Sequence, residues 1–80
     1  MEIQKLIEYL TIGHDIEFEF RGVKNSITSI PTMPDGVCLT KFYEEEYLEF
    51  ENPSDLIENA TIANQKVKEI IKEITSIYIY

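Results

Sequence analysis

The sequence predicts an α+β fold: a two-layer domain with an N-terminal helix, an antiparallel β-meander of three to four strands, two C-terminal helices and a candidate terminal strand. Three observations carry this. Apolar residues recur at helical spacing near both ends of the chain, they alternate with polar ones through the middle, and Gly or Pro pairs separate the alternating runs. The chain has 80 residues, enough for one small core and a single domain over residues 1–80. Its hydrophobic content of 44% and aromatic content of 11% exceed what a disordered acidic tail carries, although the net charge is −8.

Ile3, Leu6, Ile7 and Leu10 fall on one helical face, and Gly13 follows as a left-handed helix end. From Ile16 the period changes to two. Ile16, Phe18 and Phe20 alternate with Glu17, Glu19 and Arg21, the pattern of a half-buried strand. Arg21-Gly22 supplies a turn, and Val23 to Ile30 reads as the returning strand. A two-residue turn pairs Phe20 with Val23, Phe18 with Asn25 and Ile16 with Ile27. That register sets the polar Asn25 on an apolar face, so either Asn25 lies near the sheet margin or the register moves by one.

Pro31, Pro34, Asp35 and Gly36 make a loop, after which Val37 to Tyr43 resumes a strand. Glu44, Glu45 and Glu46 form a hairpin tip, and Tyr47 to Glu51 returns along its far side. Asn52-Pro53-Ser54-Asp55 opens a short helix over Pro53 to Asn59 with a capping side chain, a proline in the first turn and an acid near the positive end of the dipole. Thr61 to Asn64 is a connector. Val67, Ile70, Ile71 and Ile74 mark the face of a third helix, and Ser76 to Tyr80 alternates as a terminal strand or a frayed end. The helices cover one face of the sheet, and the other face is polar and open.

Few residues point to chemistry. Cys38 is the only cysteine, so no internal disulfide forms, and an intracellular chain with a thiol in its core is expected. Glu2, Lys5 and Glu8 interrupt the first ten residues, against a signal peptide, and the expected location is cytoplasmic. One histidine with one cysteine does not build a zinc site, the acidic segment lacks the calcium-loop pattern, and three scattered glycines make no phosphate cradle. No cofactor is implied. His14 and Cys38 are a nucleophile and a base by type, yet no third orienting residue stands with them, and a solvated His14 after the helix end is the simpler expectation. Glu17 and Glu19 alternate toward water. The expectation is a protein that is not an enzyme, and its charge opposes direct binding to nucleic acid.

The charge is local. Residues 44–58 carry Glu44, Glu45, Glu46, Glu49, Glu51, Asp55 and Glu58 and no base, whereas residues 66–80 carry three lysines and two glutamates. A concentrated single-sign field speeds association with an oppositely charged partner, so the implied partner is a protein with a basic surface. Alternate strand residues stand about 6.8 Å apart, so Glu17 with Glu19, or Glu49 with Glu51, matches about two phosphate rises along one DNA strand. Tyr43 and Tyr47 flank the triple glutamate as interface anchors, unless one packs in the sheet. The same acids also serve solubility and helix capping without any partner.

The stretch from Ile16 to Ile27, IEFEFRGVKNSI, followed by Pro53 to Ala60, PSDLIENA, resembles a layout of small uncharacterised acidic proteins of Gram-positive bacteria and their phages. That resemblance implies no particular activity, and an aromatic residue is more usual where Asn25 stands. In size, acidity and element order the chain more loosely resembles small type II-A anti-CRISPR proteins, some of which occupy a nuclease's DNA-binding site as DNA mimics. This implies an inhibitor acting on a nucleic-acid-binding nuclease, although no single residue carries over from that resemblance; the contact residues expected from the charge pattern are Tyr43, Glu44, Glu45, Glu46, Tyr47, Glu49, Glu51, Asp55 and Glu58. The alternative is a structural or regulatory subunit that self-associates through Ile77, Tyr78, Ile79 and Tyr80.

Overall fold

Amphipathic spacing produces the first helix, α1 (Ile3–Ile12), which buries Leu6 and Leu10 and ends where Gly13 turns to φ 102°. The Gly13 N–H donates to the Leu10 carbonyl and the His14 N–H to the Tyr9 carbonyl, so two of the last turn's acceptors are occupied. The chain then enters β1 (Ile16–Phe20) and returns as β2 (Val23–Ser29). These are features of a computed structural model, which describes residues 1–42 and 46–80, Glu46 as backbone only.

Arg21 and Gly22 adopt φ of 52° and 79°, the doubly left-handed turn whose twist suits a two-residue hairpin. The register is the one the sequence predicts: Ile16 faces Ile27, Phe18 faces Asn25 and Phe20 faces Val23. Asn25 therefore does lie on the apolar face, and it is fully buried. Strands β3 (Val37–Lys41) and β4 (Glu46–Phe50) continue the meander.

Helix α2 (Pro53–Asn59) starts as its sequence dictates, with Asn52 Oδ1 accepting from the Asp55 N–H at 2.8 Å. The connector that follows is itself a small hairpin, β5 (Thr61–Ile62) and β6 (Gln65–Lys66), turned by Ala63 and Asn64 at φ of 53° and 64°. The third helix is shorter than its apolar spacing predicts. Helix α3 covers only Val67–Ile70, and a 3-10 turn over Ile71–Glu73 completes the segment. Val67, Ile70, Ile71 and Ile74 are all buried nonetheless. The end of the chain is a strand, β7 (Thr75–Ile79), paired antiparallel with β1. One extra residue interrupts that pairing between Glu17 and Glu19, and Ser76 adopts φ 50° within it.

The five-stranded sheet runs β4-β3-β2-β1-β7. Ile16, Phe18, Phe20, Ile27, Val37 and Leu39 project from one face into a core closed by Leu6, Leu10, Leu56, Ile57 and Ile70 from the helices. At about 1.5–3 kcal/mol for each fully buried large apolar side chain, this single-sided core is the main source of stability. Among the described residues, no helix covers the opposite sheet face.

Candidate functional site

Directly opposed residues on antiparallel strands share a face, so the register lists what the uncovered face presents. One row crosses all five strands: Tyr78 on β7, Glu17 on β1, Ser26 on β2, Thr40 on β3 and Tyr47 on β4. Its ends are the exposed tyrosines, 59% and 66% accessible, and its middle is a low floor of Ser26 and Thr40. Four interstrand spacings separate the tyrosines by about 19 Å. The neighbouring rows add Glu19 opposite Lys24 on one side, and Thr28, Cys38 and Glu49 on the other. Phe42, exposed beyond the end of β3, lies under Lys24, whose ammonium is 5.9 Å from the ring centroid.

Polar contacts fix the β7 end of this face. The Tyr80 hydroxyl donates to Glu17 Oε2 at 2.7 Å, and Lys24 Nζ stands 3.9 Å from Glu17 Oε1. The hydrogen bond to Glu17, with burial and the carboxylate charge adding to it, raises the Tyr80 phenol above its ordinary pKa. Among the described residues of the paired rows, Glu17, Glu19 and Glu49 give this face three carboxylates against the ammonium of Lys24. Glu17 and Glu19, separated by about 6.8 Å on one strand, are half-buried rather than fully in water.

The described acids of residues 44–58, Glu49, Glu51, Asp55 and Glu58, do not form one surface. Tyr43, Glu44 and Glu45 lie outside the described residues, and Glu46 opens β4 opposite Lys41. Tyr47 and Glu49 sit together on the open face. Glu51 falls beyond the end of β4, so the strand spacing expected of Glu49 with Glu51 does not hold. Asp55 is a structural carboxylate: Oδ2 accepts from the Glu51 N–H at 3.2 Å and Oδ1 from Asn59 Nδ2 at 2.6 Å. Glu58 pairs with Lys68 at 2.9 Å, and that hydrogen bond, with the lysine's charge, lowers the Glu58 pKa and raises that of Lys68. The field contributed by these helix-side acids is thus partly neutralised.

His14 and Cys38 have separate partners. His14 Nδ1 lies 3.2 Å from the Tyr80 carbonyl oxygen and its ring meets Tyr9 edge-on, so His14 is half-buried after the helix end with both neighbours beside it. Cys38 is half-buried on the open face, not in the core, with Sγ 3.9 Å from Thr40 Oγ1. Among the described residues no group of three or more His, Cys, Asp or Glu side chains could hold a metal ion, and no helix is long and apolar enough to cross a membrane. A hollow of about 280 Å³ between the end of α1, the β2–β3 loop and the start of α2 has Asp35 as its one titratable lining side chain among the described residues.

The tyrosine-ended row and the burial of Lys41 are not read from the sequence. The tyrosine-ended row includes Tyr78 and Glu17, which lie outside the acidic window and become visible only once β7 is paired. Lys41 is buried on the core face opposite Asn25, and strand alternation, which sets Lys41 in phase with Val37 and Leu39, is the signal for it. Comparison with protein-family models, with curated proteins and with solved structures finds no match to the chain.

Proposed function

We propose that this protein is a non-enzymatic acidic module that binds a basic surface of another protein through the open face of its sheet. The observation that carries the reading is the row Tyr78, Glu17, Ser26, Thr40, Tyr47. Small side chains leave room over the middle of the sheet, the tyrosines offer rings on which arginine or lysine can stack, and Glu17, Glu19 and Glu49 supply charge. The net charge of −8 adds long-range steering toward a basic partner.

The narrower reading is an anti-defence inhibitor of the anti-CRISPR kind, a DNA mimic seated on the nucleic-acid-binding surface of a nuclease in the cytoplasm. The strand spacing of Glu17 and Glu19 and the overall acidity favour it. The test is retention of bacterial proteins on the immobilised chain at low and high salt, beside a Glu17→Lys/Glu49→Lys variant. A nucleic-acid-binding protein held by the wild type at low salt and released by salt or by the variant supports the proposal. Identical retention by both chains at both salts overturns it.

A second reading is self-association through the outer edge of β7, favoured by the exposure of Tyr78, Ile79 and Tyr80 at the sheet's margin. Sedimentation of a monomer whose mass does not change with concentration removes it.

A further inference from the structure

Seen from its open side, the sheet is a trough rather than a flat face. Its central strands, β2 and β3, present Ser26, Thr28, Cys38 and Thr40 there, all short side chains. Taller side chains flank them, Tyr78 and Glu17 from β7 and β1 on one side and Tyr47 and Glu49 from β4 on the other. The Tyr80 hydroxyl, donating to Glu17 Oε2 at 2.7 Å, fixes the first of these walls. From Glu17 on β1 to Tyr47 on β4 there are three interstrand spacings, about 14 Å. Along the trough, the 7 residues of β2 run about 23 Å.

On the reading of the open face as the binding surface, given above, we infer that its occupant is a basic amphipathic α-helix of the partner protein, lying along β2 and β3 between the two walls. The dimensions select a helix. Its diameter with side chains is about 10–12 Å, and about 15 residues at a rise of 1.5 Å span the length of β2. An extended segment laid on this face would find side chains beneath it and leave its backbone N–H and C=O groups unpaired, whereas a helix satisfies its own. A flat second sheet is held off by the exposed tyrosines at the margins. Charge complementarity selects the side chains of the helix: small ones against the floor, with arginine or lysine on both flanks, facing Glu17 and Glu19 on one wall and Glu49 on the other. Lys24 stands at the Phe42 end, 5.9 Å from that ring centroid, and leaves the middle of the trough to the carboxylates.

The probe is an alanine-based peptide of about 15 residues, long enough to be helical, with arginines on both flanks of one alanine stripe. Its control keeps the arginines and carries prolines in place of two central alanines, which break the helix. Each is titrated into the isotope-labelled full chain, with the backbone amides followed by NMR and the alkylation rate of Cys38, the half-buried thiol of the floor, followed in parallel. The helical peptide should bind about tenfold more tightly than the control, slow the alkylation of Cys38 and shift the amides of β2 and β3. Thr40→Tyr, and independently Thr28→Tyr, raise the floor without changing the charge; each should weaken the helical peptide about tenfold and leave the control unchanged. The helix is overturned by an absence of saturable binding, by equal affinities for the two peptides, by unaltered affinity in both floor variants, or by saturation that leaves Cys38 as reactive as before. The reading of the face itself fails separately, when Glu17→Lys/Glu49→Lys leaves retention of basic proteins unchanged.

Discussion

Replacing Asn25 by leucine should make the domain more stable. The two side chains are close in shape, and the site is fully buried between Phe18 of β1 and Lys41 of β3. The substitution removes an unpaired acceptor, whose burial costs about 1–3 kcal/mol, and gives up the hydrogen bond from Nδ2 to the Val23 carbonyl, worth about 0.5–1.5 kcal/mol. Two carbons gained against the core add about 1.5 kcal/mol. The balance is a gain of about 2 kcal/mol, large for a domain whose total stability should fall near 4–12 kcal/mol. In urea, with a slope of about 1 kcal/mol/M, the midpoint should rise by about 2 M at unchanged slope. A midpoint that falls by 1 M or more at unchanged slope refutes the reasoning, because it shows that Oδ1 is satisfied in solution.

Leu39→Ala, at a fully buried position in the middle of the sheet, should cost about 2–5 kcal/mol by cavity formation; a loss below 1 kcal/mol in denaturant titration contradicts the core described. Asn52→Ala removes the acceptor at the start of α2 and should cost about 1 kcal/mol, seen as a melting temperature about 4–8 °C lower. Tyr80 is held protonated by Glu17, so its stabilising hydrogen bond is fully present below the ordinary tyrosine pKa and is lost as pH rises through the higher folded value. Glu17→Gln should therefore shift part of the tyrosinate absorbance rise to lower pH; a superimposable alkaline titration contradicts that contact.

Much of the architecture is legible in local pattern. The alternation of Ile16, Phe18 and Phe20 together with Arg21-Gly22 specifies both a strand and its register, because the turn needs two left-handed residues and slipping by one would turn the apolar side chains outward. Other parts are not legible, for physical reasons. Spacing of Val67, Ile70, Ile71 and Ile74 reports which side chains must be buried, not how long an α-helical hydrogen-bond ladder persists; one turn and a 3-10 segment bury all four and release Ile74 into the approach to β7. The β5–β6 hairpin lacks the usual glycine, its turn being made by Ala63 and Asn64. At the candidate site, adjacency in sequence misleads about adjacency on the surface. Asp55 and Glu58, written beside the other acids, are engaged on the helical side by Asn59 and Lys68, whereas Glu17 and Tyr78 join Tyr47 from distant parts of the chain through strand pairing.

The most direct test of the central claim separates surface placement from net charge. Glu17→Lys/Glu49→Lys changes the open face, and Glu51→Lys/Glu58→Lys changes the charge by the same amount elsewhere. Both variants are compared with the wild type for retention of a basic partner protein at low salt, after circular dichroism has shown that each is folded. Binding lost in the open-face variant and kept in the other is the predicted result. Equal loss in both would show that total charge alone attracts the partner, and binding retained by the open-face variant would contradict the assignment of that face.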